Sequence, residues 1–379
     1  MKIIITSIVD LKKSQHNRPH QFVKYLSKKH EITVLSINDW WKGDQGDLKS
    51  YSSFFNDFLD NVDYHYLTDR KISPILQEVL FTKKIEELSK ENFDVHLNYN
   101  SLISGYRISK QFKTVLDLAD DLTEMIRQSP QIPGFLRPFG GLMGEYYLKR
   151  DIKNAEFVTI TTPEIGDSYK IPPEKTEIIP NGVDTQNFRL HENSKEDLGL
   201  DGFIVGYVGV LREWVNLKPV FKALKSLAPE IKLLVVGSEG KLKENKELAR
   251  KYGVADRVIF TGMIQYSDVP KYVSAMDVGL IPFNLSKVSH NALPLKLFEY
   301  MACEKPVIST EIDSLKFKFP KEILYTKNNE DYVNKIEMIY EDHLLSKRLG
   351  KSGRKIAEKH NWEHITTKLE NLLLKTVSV

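Results

Sequence analysis

The chain contains one cysteine, Cys303, in 379 residues, so no internal disulfide can form and the composition fits a reducing compartment. Between a helix and a buried strand, that thiol reads as a small core filler. Cysteine and histidine do not cluster at metal-site spacing, so no structural zinc is expected. No apolar run approaches the roughly 20 residues that a bilayer-spanning helix needs. The amino-terminal MKIIITSIVD reads as a strand leading into a basic, polar stretch, so neither a signal peptide nor an anchor is expected, and the location is expected to be cytoplasmic. One-sided charge is missing too: a formal net charge of +3 argues against wholesale nucleic-acid binding. What remains is an ordinary globular composition, longer than the ~250–300 residues at which single cores stop growing, so two domains are expected.

Strand-like and helix-like stretches alternate along both halves. Lys2–Val9 and His30–Ile37 read as buried strands, with helical spacing over Arg18–Lys29 between them. Phe93–Asn98, Thr114–Leu118, Phe157–Thr162 and Thr176–Pro180 continue the series up to Asn181–Gly182, a dipeptide that favours a tight turn with positive φ. The polar stretch 191–201 suits a linker. Beyond it lie strands over Phe203–Val210, Ile231–Val236, Arg257–Thr261 and Val278–Phe283, and a closing amphipathic helix over Trp362–Leu374. Such alternation implies an α/β fold with parallel sheets and right-handed crossovers.

Four places carry polar chemistry or unusual composition. The loop after the first strand offers Lys12, Lys13, Asn17, Arg18 and His20 near a helix start, suited to a phosphate or a sugar and equally to a solvated basic loop begun by Pro19. Asp117, Asp120 and Asp121 gather at the carboxyl end of a strand, where open α/β sheets place ligands; they also suit the cap of the helix starting near Leu122. Trp40 and Trp41, before Lys42 and Gly43, read as a sugar platform, an interfacial pair or packing beneath a loop. The stretch 127–150 interleaves Pro133, Gly134, Pro138, Gly140 and Gly141 with Phe135, Leu136, Phe139, Leu142 and Met143, flanked by Arg127, Arg137, Lys149 and Arg150. It reads as a peripheral membrane contact, a lipid groove or a loop folded over its own core.

The most informative stretch is Pro294-Leu295-Lys296-Leu297-Phe298-Glu299-Tyr300-Met301-Ala302, followed by Cys303 to Thr310. A proline opens a helix whose first N–H groups, at Leu295 and Lys296, face an anion along with the Lys296 ammonium. Glu299, one turn on, is an acceptor-only group suited to paired sugar hydroxyls, and phosphate plus diol together suggest a nucleotide. The plainer reading is an amphipathic helix with Leu297, Phe298 and Met301 in a core.

The run PLKLFEYMACEKPVIST resembles the nucleotide-sugar segment of GT-B glycosyltransferases, specifically glycosyltransferase family 4 (group 1), which reads P-x-K-x-x-E-Y-x-A-x-G-K-P-V-I. The run IPNGVDTQNF resembles the family's I-P-N-G-V-D-x-x-x-F signature. Asn291 stands where the family carries an earlier glutamate, Glu304 where it carries a glycine, and the first loop lacks the usual glycine pair. The resemblance implies two Rossmann-like domains with parallel sheets facing across a cleft: an acceptor domain at 1–188, a donor domain at 189–360, and a terminal helix at 361–379 packing back on the first. It implies a metal-independent, retaining hexosyltransferase without cofactor, using a UDP- or GDP-sugar and a glycan or lipid-linked acceptor. On the donor side it points to Gly209, Arg212, Lys218, Gly237, Met263, Ile264, Asn291, Leu295, Lys296 and Glu299, with Arg212 and Lys218 holding the departing diphosphate. It places Asp117 near the donor sugar as a catalytic group; Asn17, Arg18, His20, Asp120 and Asp121 are, by their own chemistry and position, the acceptor-side candidates. The membrane reading of 127–150 would put the protein at the inner face of a cell membrane. Rival readings are a nucleotide-sugar epimerase or hydrolase of the same fold, and a catalytically weak scaffold in a glycan-assembly complex.

Overall fold

A computed structural model of the chain describes residues 1–14, 16–40, 58–80, 82–129, 132–237 and 240–378. Trp41, Lys42, Gly43, Pro130 and the Ser238–Glu239 turn lie outside the described residues. The backbone divides into two compact units, one of Met1–Pro180 with the segment from Trp362 onward, the other of Asn181–Asn361.

The first unit is a seven-stranded parallel sheet ordered β3-β2-β1-β4-β5-β6-β7. Its strands are β1 (Lys2–Ser7), β2 (Glu31–Ser36), β3 (Asp63–Tyr66), β4 (Val95–Tyr99), β5 (Thr114–Leu118), β6 (Phe157–Ile160) and β7 (Thr176–Ile178). Central strands β4 and β5 are buried at every position, the polar His96, Asn98, Thr114 and Asp117 included. The strand order reverses between β1 and β4. The helix Trp362–Ser378 closes this unit against the helix Arg18–Leu26, with Trp362 fully buried and edge-on to Phe22 at 6.0 Å. At its rim Glu370 accepts from Lys29 at 2.9 Å and from His30 at 3.0 Å.

Two local readings of the sequence are corrected. Gly182 is not in a positive-φ turn. The chain there runs extended, the Val183 N–H donates to the His360 carbonyl at 2.9 Å, and 181–188 belongs to the second unit. The glycine- and proline-rich stretch is not a loop either: a 3-10 turn over Gly134–Leu136 leads into an 18-residue helix, Arg137–Asn154. Its glycines let it pack closely, since a Cβ on Gly141 would lie 2.7 Å from the Arg127 side chain and one on Gly144 3.0 Å from Ile126.

The second unit is a six-stranded parallel sheet ordered β10-β9-β8-β11-β12-β13. Its strands are β8 (Phe203–Val208), β9 (Ile231–Val236), β10 (Val258–Gly262), β11 (Val278–Ile281), β12 (Val307–Thr310) and β13 (Ile323–Thr326). Here the order reverses between β8 and β11. The helix Leu295–Ala302 joins β11 to β12, and Tyr300 fastens it to both diverging strands: its hydroxyl accepts from the Val208 N–H at 2.8 Å and donates to the Leu280 carbonyl at 3.3 Å. Gly279 makes this possible, because a Cβ there would meet the Tyr300 ring at 2.5 Å.

Candidate functional site

Where strand order reverses in an open α/β sheet, connecting segments leave in opposite directions and open a crevice at the carboxyl ends of the strands. In the second unit that crevice lies beyond Val208 and Ile281, and the helix Leu295–Ala302 begins beside it. Pro294 occupies the cap position in extended backbone, and its side chain cannot satisfy the first turn. Among the described residues the Leu295 and Lys296 N–H groups have no acceptor, leaving two donors at the positive end of the helix dipole. Lys296 folds over Tyr207, donating to its hydroxyl at 3.0 Å with the ammonium 4.3 Å from the ring centre.

Glu299 is 7% exposed and accepts one long hydrogen bond, from Tyr266 at 3.4 Å. Burial pushes its carboxyl up to about 7, opposed by the Lys296 charge and the Tyr266 hydroxyl. Burial lowers Lys296 to about 8, and Glu299 pulls it back toward its ordinary value. Each group is thus poised near neutrality and short of partners. A phosphate beside Lys296 and a diol against Glu299 would supply what each lacks.

Glycines bring the backbone close around the pair. Gly209, directly after β8, has φ of 120°, and a Cβ there would stand 3.1 Å from the Lys296 ammonium. Gly237, after β9, has φ of 142°, and a Cβ there would strike the Gly209 carbonyl at 2.4 Å. The Gly237 N–H donates to the Gly262 carbonyl at 3.1 Å, which sets Met263 and Ile264, both half-buried, at the same edge of the sheet. Arg212 and Lys218 are exposed, in the loop after Gly209 and at the first position of the helix Lys218–Leu224. Arg212 lies near enough to Tyr207 for its charge to be felt by that hydroxyl. Asn291 is buried as the C-cap of the short helix Lys287–His290, within the loop that leads to Pro294.

The sequence reading missed the supports. Asn181, read there as a turn residue, donates from its amide to the Leu293 carbonyl at 2.7 Å and so braces the loop before Pro294. Asp184 accepts from the N–H groups of Gln186 and Asn187, both at 3.1 Å, and turns the chain to bury Phe188, whose ring lies 5.6 Å from that of Tyr266. The IPNGVDTQNF signature therefore holds up the tyrosine that touches Glu299. Tyr207 and Tyr266 carried no sequence signal, since a tyrosine in or near a buried strand looks like core.

In the first unit the structure separates the expected cluster into different roles. Asp117 does not face an open edge: it is fully buried, its two oxygens take a bidentate pair of hydrogen bonds from Arg18, each 2.8 Å, and the Thr159 hydroxyl adds another. Arg18 also donates to the Pro180 carbonyl at 2.8 Å. A carboxylate so engaged is a structural anchor, and Arg18 is its partner rather than an exposed ligand-binding cation. Asn17 and His20 form a capping box: the Asn17 amide oxygen accepts from the Arg18 N–H at 3.0 Å, and the Asn17 N–H donates to His20 Nδ1 at 3.1 Å. His20 Nε2 donates to the Leu11 carbonyl at 2.9 Å, so the ring is neutral, and burial lowers its pKa to about 4. Asp121 caps the helix Leu122–Gln128 and accepts from the Tyr169 hydroxyl. Asp120 alone keeps a carboxyl with no hydrogen-bonding partner among the described residues; it is largely buried, and burial, with Asp117 and Asp121, raises it to about 6 against the pull of Arg18.

Residues 190–356 match the family model described as glycosyl transferases group 1. TuaH of Bacillus subtilis, a glycosyltransferase given a provisional role in teichuronic acid biosynthesis, is 26% identical over 230 residues, covering 56% of this chain and 55% of that protein. The chain spans about half the length of the curated relatives it matches. Its structure is similar to sucrose-phosphate synthase from Thermosynechococcus elongatus, with a TM-score of 0.80 at 20% identity, over 100% of this chain and 99% of that one. It is also similar to Anabaena HepE in complex with UDP-glucose, with a TM-score of 0.75 at 17% identity, over 99% and 100%. The fold is α/β with two parallel-sheet Rossmann-like domains, matching GT-B glycosyltransferases.

Proposed function

We propose that this chain is a retaining glycosyltransferase of family 4 that moves a hexose from a nucleoside-diphosphate sugar to a hydroxyl of a glycan or lipid-linked acceptor. The observation that carries the reading is the pairing of Lys296 and Glu299 at the start of an uncapped helix beside the strand-order reversal. On this reading the diphosphate lies against the Leu295 and Lys296 N–H groups and the Lys296 ammonium. The ribose hydroxyls donate to Glu299, and the base lies along the backbone at Met263 and Ile264. The approach of Gly209 and Gly237 leaves no side chain in the way. As the sugar departs, charge grows on the diphosphate; Lys296, Arg212 and Lys218 are the fixed cations that stabilise it.

Asp117 has no step in this proposal; it holds Arg18. Asp120 takes the acceptor side, where a carboxyl raised to about 6 and without a hydrogen-bonding partner among the described residues can orient a hydroxyl and accept its proton. HepE was solved with UDP-glucose, which makes UDP-glucose the first donor to test. The test is UDP release from UDP-glucose and other UDP- and GDP-sugars, with and without glycan and lipid-linked acceptors. Acceptor-dependent release that falls about a hundredfold in Asp120→Asn, with donor affinity kept, supports the reading. Release of free sugar without acceptor would favour a hydrolase, and absence of donor binding a scaffold.

A further inference from the structure

The exposed apolar side chains of the first unit are gathered rather than scattered. Phe135 (83% exposed), Phe139 (66%), Leu142 (62%) and Tyr146 (51%) recur at i, i+4, i+7 and i+11 and share one stripe along the 3-10 turn and the helix Arg137–Asn154. The helix buries another face, through Gly141, Gly144, Leu148 and Ile152, so the stripe is a second apolar face. Further along the same side the exposed residues become Lys149, Arg150 and Lys153. The acidic residues of this helix do not offset them: Glu145 is paired with Arg127, and Asp151 is buried. A neighbouring helix, Pro74–Leu80, adds exposed Leu76 and Leu80. Between the two helices opens an apolar pocket, lined by Pro74, Leu102, Ile126, Gly140, Met143 and Tyr147 among others.

An apolar stripe that runs into a cationic one fits a surface with hydrocarbon below and phosphate above. A second copy of the same face fits less well, because two-fold pairing sets like charges together. Among the described residues no helix is long and apolar enough to cross a membrane. We propose that this face docks on a lipid bilayer with anionic headgroups. Phe135, Phe139 and Leu142 enter the acyl region, and Lys149, Arg150 and Lys153 meet the phosphates. Docking stands on the first unit alone. Its extension, that the acceptor is lipid-linked, rests on the glycosyl-transfer reading.

The test is co-sedimentation of the full chain with phosphatidylcholine vesicles, with and without phosphatidylglycerol, at low and high salt. Binding is expected to require phosphatidylglycerol, to weaken with salt, and to fall about tenfold in Phe139→Ser/Leu142→Ser and in Lys149→Glu/Lys153→Glu. All four positions are exposed, so circular-dichroism melts should be unchanged and will separate lost docking from lost folding. Equal binding to neutral vesicles, or variants that bind as the parent does, would overturn the proposal. So would a dimer that Phe139→Ser/Leu142→Ser dissociates, with no vesicle binding by the parent. Because no donor is needed, failure here is distinct from failure of the donor site.

Discussion

Lys296 and Glu299 lie within one turn of each other, and in the proposed donor site their titrations set the pH range in which an anionic, hydroxyl-rich ligand binds. Burial has raised Glu299 to about 7, so below that value the carboxyl is protonated and loses acceptor strength. Burial has lowered Lys296 to about 8, so above that value the ammonium is lost unless the ligand's own charge restores it. Affinity for UDP-glucose should therefore peak between pH 7 and 8 and fall about tenfold per unit on the alkaline side, where binding must take up a proton. Calorimetric titration from pH 6 to 9.5 checks this, and a flat profile would contradict it. Asp151 gives a stability effect at the same scale. It is 1% exposed, neither oxygen has a hydrogen-bond partner among the described residues, and burial with the nearby Glu78 charge raises it to about 9. A folded-state pKa above the unfolded value of about 4 means that stability declines as pH rises through that window, until the folded group itself ionises. Asp151→Asn should remove the decline and be more stable at pH 8 by on the order of 1 kcal/mol or more. Thermal melts at pH 6 and pH 8 decide it, and a variant with the parent's pH slope would sink the assignment.

The helix Leu295–Ala302 shows what a sequence does and does not disclose about an element. Its start is legible because Pro294 and the spacing of Leu297, Phe298 and Met301 are local signals. Its end is legible only in part. The Lys305 N–H donates to the Tyr300 carbonyl at 3.0 Å and the Glu304 N–H to the Met301 carbonyl at 3.1 Å, a Schellman stop that puts the next residue, here Glu304, at φ of 57°. Glycine suits that position, and Glu304 occupies it under strain. Glu304→Gly should stabilise the second unit by about 1 kcal/mol without changing donor affinity, as measured by denaturant unfolding. A destabilised variant would show that the glutamate side chain makes up for its backbone. The helix Arg137–Asn154 was not legible at all. Glycine and proline lower helix propensity locally, and only the tertiary approach of Arg127 and Ile126 shows why Gly141 and Gly144 are there.

At the scale of the molecule, strand–helix alternation sufficed to foresee two parallel α/β sheets, because buried parallel strands are written as continuous apolar runs. The strand order, which creates the crevice, is a long-range property and had to come from the structure. The division of labour among charged groups was hidden for the same reason. Asp117, Asp120 and Asp121 look alike in sequence, and only distant partners, Arg18 and Tyr169 among them, make two of them structural. Every residue assigned to the donor lies within Asn181–Asn361, so donor binding tests that unit by itself. The most direct measurement is calorimetric titration of the full chain with UDP-glucose and a panel of other nucleotide sugars at pH 7.5, beside Glu299→Ala and Tyr266→Phe. Saturable binding of one donor, weakened at least about thirtyfold by Glu299→Ala and only a few-fold by Tyr266→Phe, is the expected result. A donor that binds equally well to the parent and to Glu299→Ala, or no binding across the panel, would contradict the account of the Lys296–Glu299 site.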